Sequence, residues 1–414
     1  MPGVPAITMK SCLLVAYGYA LNDPVSRQAA TSLAHAGWQV SVFHTPPVNV
    51  YPSSVPTSVH AFECPGPALS AQLGPLYRMA KWQKFRRELQ RWIKTNRPKL
   101  VVTIMLHALA ALPEVTDPPF MLVSCIYDIP SPEDAGRLDS PILSKGWKRL
   151  RNADVVWSSD VYKAELAREF GNLARTPLVC HNCPPIDYLP KPTWPRDPWL
   201  RTELQRQGAE ICDQSCILLR AGAIGDSGGI EATLEAVRRL PGDHIFLMMG
   251  RPSREYRTKL LGRITELGMR NRAFLWEQPS DEVWNKALQG ADIGHLIHGP
   301  FPTGRTQRLY ELNSSLSNYR LFLYMAAGLP ILSYDDSRLD VVHKEVDCFR
   351  VLRVNNLVEE TYQALLELGS SALRMKLGEA GRKAHERRYS WEHQFRDVMR
   401  AVSQHRAGCG AICG

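Results

Sequence analysis

The sequence contains no apolar segment long enough to cross a membrane. Its longest apolar stretch, residues 100–112, is well short of the ~20 residues that a spanning helix needs, and His107 interrupts it. The first apolar run, residues 12–16, is too short for the core of a signal peptide and is typical of a buried strand. We therefore expect no signal peptide and a cytoplasmic protein, either free or attached to the cytoplasmic face of a membrane.

Cysteine motifs typical of metal sites are also missing. The chain has ten cysteines, of which Cys180 and Cys183 form a CxxC pair, but no second pair lies at zinc-ribbon distance. The two CxxxC pairs, at 212 and 216 and at 409 and 413, are weak signatures of metal binding. We interpret the cysteines as reduced thiols, and we predict neither a metal site nor a permanently bound cofactor.

Acidic residues are scarce in residues 78–99, where nine lysines and arginines accompany a single glutamate. This segment carries nearly all of the formal net charge of +9, and its apolar residues recur at helical spacing. Such a basic amphipathic helix either packs its apolar stripe on a sheet or contacts an anionic membrane through Trp82, Phe85 and Trp92. The strand predicted directly after it favours packing. Because no RNP, KH or zinc-finger pattern accompanies the charge, nucleic acid is not a predicted partner.

The 414 residues are enough for two domains of ~200 residues each. Short apolar runs alternate with amphipathic stretches in both halves, which predicts parallel sheets wrapped by helices. Six prolines within residues 184–198 predict a stiff connector, and residues 49–75 are predicted to be irregular. The predicted strands are 11–17, 40–44, 100–104, 121–125, 154–158 and 178–181 in the first half, and 217–220, 244–249, 273–276, 293–297 and 330–333 in the second.

The predicted fold class is α/β, with two Rossmann-like domains that face each other across a cleft. We expect residues 1–190 to form the first domain, 199–385 the second, and 386–414 a C-terminal helix that crosses back to the first. In such sheets ligands bind beyond the carboxyl ends of the strands. Residues that follow predicted strands are therefore the candidates for binding and catalysis.

Three stretches of the sequence resemble the GT-B glycosyltransferases, particularly the family-4-like enzymes (glycosyl transferases group 1). Residues 23–43 (DPVSRQAATSLAHAGWQVSVF) are similar to the opening segment of that family, and residues 217–237 (ILLRAGAIGDSGGIEATLEAV) to the start of its donor domain. Residues 315–335 (SLSNYRLFLYMAAGLPILSYD) resemble its NKLFEYMAAGLPV segment, and AAGLP is the most specific match. The resemblance implies a GT-B fold and the transfer of a sugar from a nucleotide-diphosphate sugar, the donor substrate, to an acceptor hydroxyl. A glycolipid, a polysaccharide precursor or a natural product is the kind of acceptor it implies.

A helix start in the third stretch is the predicted site of the donor phosphates. Ser317 and Asn318 are of the residue types that cap helices, and the helical pattern runs from about 319 to 327. The free N–H groups and the positive dipole end of a helix N-terminus suit a diphosphate. Tyr319 and Arg320 lie in the first turn, where the charge of Arg320 is mildly unfavourable unless an anion binds.

Two loops after predicted strands complete the candidate donor site. Glycines 222, 225, 228 and 229 follow the strand at 217–220, and glycine lets a backbone approach a ligand closely. Gly250 and Arg251 follow the next strand, and residues 276–279 lie where the resemblance implies the nucleotide base. The candidate donor-binding residues are Arg220, Gly222, Ala223, Gly250, Arg251, Gln278, His298, Ser317, Asn318, Tyr319 and Arg320.

The first domain supplies the candidate catalytic residues, His107 and Asp128. His107 follows the strand at 100–104, where the resemblance implies a histidine near donor and acceptor, although a lone histidine in an apolar run is also typical of a core. Asp128 follows the strand at 121–125, and Gly18 and Asp23 lie in the first loop, on the acceptor side. An inverting reaction needs a base at the acceptor hydroxyl, whereas the resemblance implies that retaining members let the donor phosphate assist. The sequence leaves both routes open.

Three positions depart from the family pattern. Leu323 stands where the segment usually has a glutamate that holds the donor ribose, and Ala223 and Gly228 stand where the donor loop usually has an arginine and a lysine. These replacements support an alternative hypothesis, a catalytically silent GT-B module that binds a partner. A sugar-nucleotide epimerase on the same architecture is a third interpretation. Nucleotide binding separates the first two, and turnover of the donor without an acceptor indicates the third.

Overall fold

The chain folds as alternating strands and helices, as its apolar pattern predicts. The computed structural model describes residues 10–18, 23–45, 59–67, 74–114, 118–129, 140–212, 214–226, 228–241, 244–277, 279–297, 318–336 and 339–410. The chain divides into two units, the first comprising Met1–Asn182 with Gln394–Gly414 and the second Cys183–His393. Within the described ranges, no helix combines the length and the apolarity needed to span a lipid bilayer.

The first unit is built on one parallel sheet. Its described strands are β1 (Lys10–Ala16), β2 (Trp38–His44), β3 (Val59–Glu63), β4 (Leu100–Ile104), β5 (Met121–Ile126), β6 (Val155–Ser158) and β7 (Leu178–Val179). Their order across the sheet is β3-β2-β1-β4-β5-β6-β7, and every neighbouring pair is parallel. The central strand β4 is buried along its whole length, which is typical of a parallel strand covered on both faces.

Helices connect the strands of the first unit. They are α1 (Pro24–His35), α2 (Pro75–Asn96), α3 (Met105–Ala111), α4 (Ser140–Leu150) and α5 (Val161–Gly171). Local sequence explains where α1 begins and ends. The carboxylate of Asp23 accepts the N–H of Ser26 at 2.9 Å, Pro24 occupies the first turn, and Gly37 adopts a φ of +80° beyond the C-terminal end.

The basic helix α2 places its apolar stripe in the core of the first unit. Trp82, Phe85, Leu89 and Ile93 recur at helical spacing and are buried there. Full burial of a large apolar side chain stabilises the fold by ~1.5–3 kcal/mol, so this packing dominates the energetics of the helix. The structure agrees with the favoured interpretation that the apolar stripe packs in the core, and the alternative in which Trp82 and Phe85 contact lipid is wrong, because both side chains are inside the protein.

The second unit repeats the arrangement of the first. Its described strands are β8 (Cys216–Ala221), β9 (His244–Met249), β10 (Ala273–Trp276), β11 (Ile293–His295), β12 (Ile331–Tyr334) and β13 (Phe349–Leu352). Their order is β10-β9-β8-β11-β12-β13, again with parallel neighbours throughout. The predicted α/β class with two Rossmann-like sheets is confirmed.

The remaining helices follow the strands of the second unit. They are α6 (Trp199–Arg206), α7 (Ile230–Arg239), α8 (Arg254–Glu266), α9 (Asp281–Gly290), α10 (Tyr319–Ala326), α11 (Asp340–Glu345), α12 (Leu357–Glu367), α13 (Ser371–Arg387) and α14 (Trp391–Gly410), with a 3₁₀ turn at Val354–Asn356. From Gln394 onward α14 belongs to the first unit. There Phe395 meets Trp157 edge to face, with ring centroids 5.6 Å apart.

Two edge strands are absent from the prediction. β3 lies inside residues 49–75, which were predicted to be irregular, and four of its five residues are exposed. Such a strand has little burial to impose an alternating apolar pattern. β13, at an edge of the second sheet, alternates only weakly. The segment of His107 also differs, since α3 begins directly after β4 and contains this residue.

Candidate functional site

The second sheet reverses its strand order at β8. This strand lies between β9 and β11, so the chain builds the sheet outward from β8 first on one side and then on the other. In open parallel sheets such a switch point leaves a crevice beyond the carboxyl ends of the strands, where ligands bind. The loops that follow β8 and β9 are therefore candidates for the donor site.

Two predicted glycines at this edge have backbones that no other residue would fit. Gly222, after β8, has a φ of +103°, and a Cβ there would lie 3.0 Å from Nη2 of Arg320. Gly250, after β9, has a φ of +157°, and a Cβ there would lie 1.8 Å from the carbonyl oxygen of Gly222. The two loops thus touch through backbone atoms, which leaves Gly222 facing Arg320 without a side chain between them.

Helix α10 begins as the sequence predicts. The side-chain oxygen of Asn318 accepts the N–H of Arg320 at 3.2 Å, and Gly328 follows the helix with a φ of +62°. The helix has eight residues, and its N-terminus presents free N–H groups and the positive end of its dipole. Tyr319 is half-buried in the first turn and packs on the core of the second unit.

Arg320 is a buried cation beside the loop that follows β8. It is 7% exposed, and neither Nε nor Nη1 has a hydrogen-bond partner among the described residues. No carboxylate of the described ranges forms an ion pair with it. Burial lowers the pKa of its guanidinium, an effect that Tyr324 and Tyr334 oppose. A buried cation with unused donors is costly, and an oxyanion placed against it would supply what is missing.

Arg220 is buried as well, but it faces the protein. It is 2% exposed, its Nε donates to the carbonyl of Ala223 at 3.2 Å, and its Nη1 donates to the carbonyls of Gly228 at 3.0 Å and Ile297 at 2.8 Å. Burial lowers the pKa of this guanidinium far below its ordinary value, and the neighbouring charge of Arg320 adds to the effect. Nε and Nη1 of Arg220 are thus engaged inside the protein, which favours a role in shaping the loop, and direct contact of Arg220 with the donor stays a prediction.

Three residues near this edge, Thr233, His295 and Tyr324, are absent from the sequence prediction. His295 is fully buried, its Nδ1 lies 3.1 Å from Nη1 of Arg220, and its Nε2 lies 2.9 Å from the hydroxyl of Thr233. The hydroxyl of Tyr324 accepts the N–H of Ala221 at 2.9 Å and donates to the carbonyl of Leu219 at 2.8 Å. His295 lies within an apolar strand and Tyr324 within an apolar helix, so neither stands out in the sequence.

The other predicted donor residues differ in their exposure to solvent. Ala223 and Arg251 are exposed, and the carbonyl of Ala223 is held by Arg220. Leu323, which replaces the expected glutamate, is 1% exposed in the core of the second unit. Gln278, His298 and Ser317 lie outside the described residues.

In the first unit, the residues predicted on the acceptor side lie after β1. Gly18 has a φ of +128°, a conformation that favours glycine. The carboxylate of Asp23 caps α1 and also accepts the hydroxyl of Ser26 at 2.6 Å. Burial raises the pKa of Asp23 most, and the charge of Asp128 raises it further, while the hydrogen bonds from Ser26 lower it.

Asp128 lies beside a buried lysine. Nζ of Lys163 donates to the carbonyl of Tyr127 at 2.7 Å and lies 3.5 Å from a carboxylate oxygen of Asp128. The lysine side chain is fully buried, whereas that of Asp128 is 51% exposed. Burial raises the pKa of Tyr127, and the charges of Asp23 and Asp128 add to this. The structure thus brings Asp23, Tyr127 and Asp128 together, while Lys163, on the helix after β6, gave no signal in the sequence.

His107 lies on α3 and is half-buried. Its ring stacks on that of Tyr17, with centroids 5.7 Å apart, and its carbonyl accepts the indole N–H of Trp82 at 3.5 Å. Tyr17 directly follows β1, so His107 is placed next to the same loop that carries Gly18. Among the described residues, no group of three or more histidines, cysteines or carboxylates is placed to hold a metal ion.

Comparison with known proteins gives a consistent picture of the fold. No protein-family model matches the sequence, and no curated protein matches it. The solved sucrose-phosphate synthase from Thermosynechococcus elongatus matches with a TM-score of 0.67 at 15% identity, over 95% of this chain and 99% of that one. WaaG, a glycosyltransferase involved in lipopolysaccharide biosynthesis, matches with a TM-score of 0.65 at 14% identity, over 93% and 98%.

HepE from Anabaena, solved in complex with UDP, is similar to the same extent. It matches with a TM-score of 0.66 at 14% identity, over 95% of this chain and 99% of that one, and it has also been solved with UDP-glucose. At these identities the likeness is one of fold. The chain has the fold of the GT-B glycosyltransferases, as the resemblance of its sequence implies.

Proposed function

We propose that this protein is a glycosyltransferase that moves a sugar from a nucleotide-diphosphate sugar to an acceptor hydroxyl. Arg320 is the observation that carries the proposal. Its guanidinium is 7% exposed, and two of its nitrogens have no hydrogen-bond partner among the described residues. A buried, unpaired cation destabilises a protein, so its presence at the ligand-binding edge of the sheet supports an anionic ligand.

A diphosphate suits the surroundings of Arg320. The first turn of α10 offers free N–H groups and a positive dipole end, and Gly222 allows a close approach of the backbone. These groups would hold the two phosphates in the bound donor. As the bond to the sugar breaks, negative charge develops on the departing diphosphate, and donors already in place stabilise that charge.

The similar proteins support a nucleotide as the carrier of that diphosphate. HepE has been solved with UDP and with UDP-glucose, which makes UDP the first nucleotide to test. The likeness extends over nearly the whole of both chains, which supports the second unit as the donor domain of this proposal.

The first unit supplies the acceptor side in this proposal, with Asp128 and His107 as the residues that act on the acceptor hydroxyl. The carboxylate of Asp128 is half-exposed, so a ligand can reach it, and the Lys163 ammonium lies 3.5 Å away. The ring of His107 stacks on Tyr17, and this fixes the plane of the imidazole. Gly18 and Asp23 line the adjacent loop.

Contact with an anionic membrane through α2 is a second part of the proposal. Trp82 and Phe85 are buried, but Leu76 is 58% exposed and Met79 is 43% exposed at the start of the helix, among several exposed cations. Such a surface suits the cytoplasmic face of a membrane, where a glycolipid acceptor would be found. Sedimentation with vesicles that contain phosphatidylglycerol should capture the protein, and a Leu76→Ser/Met79→Ser variant should stay in solution.

A catalytically silent module is the second candidate function. Leu323 is 1% exposed in the core, so this position offers no carboxylate to a ribose. On this hypothesis no nucleotide sugar is turned over, even if the protein binds a nucleotide.

The deciding experiment measures nucleotide binding and turnover together. UDP, GDP, ADP, TDP and CMP are tested by thermal shift and calorimetry, each diphosphate against its monophosphate, with and without magnesium. Saturation at a hundredfold excess over Kd stabilises by ~2.7 kcal/mol, which raises Tm by several degrees. A diphosphate that binds more tightly than its monophosphate, with release of that diphosphate from its sugar conjugate, supports the transferase. Binding without turnover supports the silent module, and no binding in folded protein contradicts the proposal.

A further inference from the structure

One buried side chain links the two sides of the candidate donor site. Arg220 donates to Ala223 and Gly228, which stand near the two ends of the glycine-rich loop after β8, and to Ile297 beyond β11. Its three carbonyl acceptors lie at 3.2, 3.0 and 2.8 Å, and the side chain is 2% exposed. The loop is therefore fixed from inside the protein before any ligand arrives.

The protons of this network can be assigned from its geometry. A guanidinium only donates, so Nδ1 of His295, at 3.1 Å from Arg220, must be an acceptor. The ring is then neutral with its proton on Nε2, which donates to the hydroxyl of Thr233 at 2.9 Å. That hydroxyl in turn donates to the carbonyl of Gly229 at 2.8 Å. The chain of bonds thus ends on Gly229, which has a φ of +61° and begins α7.

Close packing couples Arg220 to Gly228. A Cβ at position 228 would lie 2.8 Å from Nη2 and 2.9 Å from Cζ of Arg220. The end of an arginine can usually move aside, but this one is buried and bonded to residues of the loop, of β11 and of the segment after it. The guanidinium therefore occupies the space that any side chain at 228 would need.

We infer that Arg220 is a positioning residue for the donor: through Ala223, Gly228 and the His295–Thr233–Gly229 chain it holds the glycine-rich loop in the shape that receives a diphosphate. This inference rests on the proposed function, since the diphosphate is the ligand that the loop would receive. Arg220 does not touch the donor, whereas Arg320 does. Preorganised loops raise affinity because less ordering remains to be done on binding.

Gly228→Ala is the sharpest test, because it displaces the guanidinium without removing a polar group. We expect backbone amides of residues 222–226 and 228–230 to exchange hydrogen at least about tenfold faster in the ligand-free variant, and the nucleoside diphosphate to bind about tenfold more weakly. Gly262→Ala, on the exposed side of α8 where nothing lies within 4 Å of the added carbon, is the matched control and should leave both quantities within about twofold.

Arg220→Lys tests whether the hydrogen-bond geometry of the Arg220 guanidinium, and not its charge alone, holds the loop. A lysine keeps the positive charge but cannot bridge Ala223, Gly228 and Ile297 at once. We expect it to weaken diphosphate binding as much as Gly228→Ala does, in protein shown by circular dichroism to be folded. Wild-type binding in Arg220→Lys, or unchanged loop exchange and binding in Gly228→Ala, would overturn the inference. If the unmodified chain binds no nucleotide, the proposed function fails, and the exchange data still decide whether Arg220 holds the loop.

Discussion

The first six strands of each unit have the same order, but the edges that the sequence marks as functional carry opposite charges. In the first unit, Asp23 and Asp128 follow the first and fifth strands of the sheet, and their charges interact. In the second unit, the corresponding edge carries Arg220 and Arg320, which also interact. The shared topology determines where ligands can bind, and the side chains determine which ligands they are.

The two edges differ further in how their charges are balanced. Asp128 has the buried ammonium of Lys163 at 3.5 Å, so the acidic edge contains its own counter-charge. In the described part of the second unit, Arg220 uses carbonyl oxygens and a neutral imidazole, and Arg320 has no anionic partner. An uncompensated pair of buried cations is expected where a ligand brings the negative charge. Asp128 already has a counter-charge in Lys163, whereas in the proposed function a bound anion supplies the counter-charge of Arg320.

The largest expected effect comes from Arg320→Met, which should change binding and stability in opposite directions. Loss of charge-assisted hydrogen bonds should weaken nucleoside diphosphate binding about 100-fold, or ~2.7 kcal/mol. The ligand-free variant should be at least as stable as the wild type, because an apolar side chain replaces a buried cation that has no anionic partner among the described residues. Calorimetry and chemical denaturation measure the two quantities.

Arg374→Met is the matched control for this prediction. Arg374 is also 7% exposed, but its Nη1 donates to the carbonyls of Leu368 at 2.6 Å and Gly369 at 2.8 Å. Its removal should destabilise the protein by ~3 kcal/mol and leave nucleotide affinity unchanged. Equal destabilisation by the two variants would mean that Arg320 is a structural residue, and the contrast between the edges would lose its main support.

Lys163→Met should have the next largest effect, confined to the acidic edge. It removes the donor to the carbonyl of Tyr127 and the counter-charge of Asp128, which should destabilise the protein by ~2 kcal/mol. In the proposed reaction kcat should fall about tenfold while KM for the nucleotide sugar stays unchanged, since the donor binds in the other unit. Lys148→Met, at an exposed position, should change stability by less than about 0.5 kcal/mol. A raised KM for the nucleotide sugar in Lys163→Met would contradict the proposal that the donor binds in the second unit while the residues that act on the acceptor lie in the first.

Much of the fold follows from local sequence. The strand that contains Val101 and Val102 is largely apolar because it is buried along its whole length in a parallel sheet, and the periodicity of Trp82 and Phe85 follows from packing in the core. The start of α10 could be predicted because an asparagine at 318 bonds to an N–H only two residues away. The edge strands β3 and β13 are absent from the prediction because partial exposure weakens the alternation on which prediction depends.

The candidate sites were harder to predict, since they depend on distant residues. Arg220 lies directly before the glycine-rich loop, and its sequence position favours a ligand contact. His295 and Ile297, which hold its guanidinium, are 75 and 77 residues away along the chain. Lys163 is likewise 35 residues from Asp128. A local sequence pattern predicts which residue lies at the end of a strand. The direction of its side chain depends on contacts with residues far away along the chain.

Asp23→Asn should have the smallest effect of these variants. The pH dependence of its stability tests whether the charges of Asp23 and Asp128 destabilise the folded protein. Burial and the charge of Asp128 raise the pKa of Asp23 above its value in the unfolded chain, near ~3.9. As pH rises from that value, the unfolded state loses the proton first, so this group lowers stability progressively until the folded carboxyl also ionises. Asparagine still caps α1 through its side-chain oxygen, but it does not titrate. The variant should therefore be more stable than the wild type at pH 7 by about 1 kcal/mol or less, and equal to it near pH 3. Urea denaturation at the two pH values measures this difference. A gain in stability of the same size at both pH values would instead be an effect of helix capping. The charges of the acidic edge would then not destabilise the folded protein, and the comparison with the cationic edge would fail.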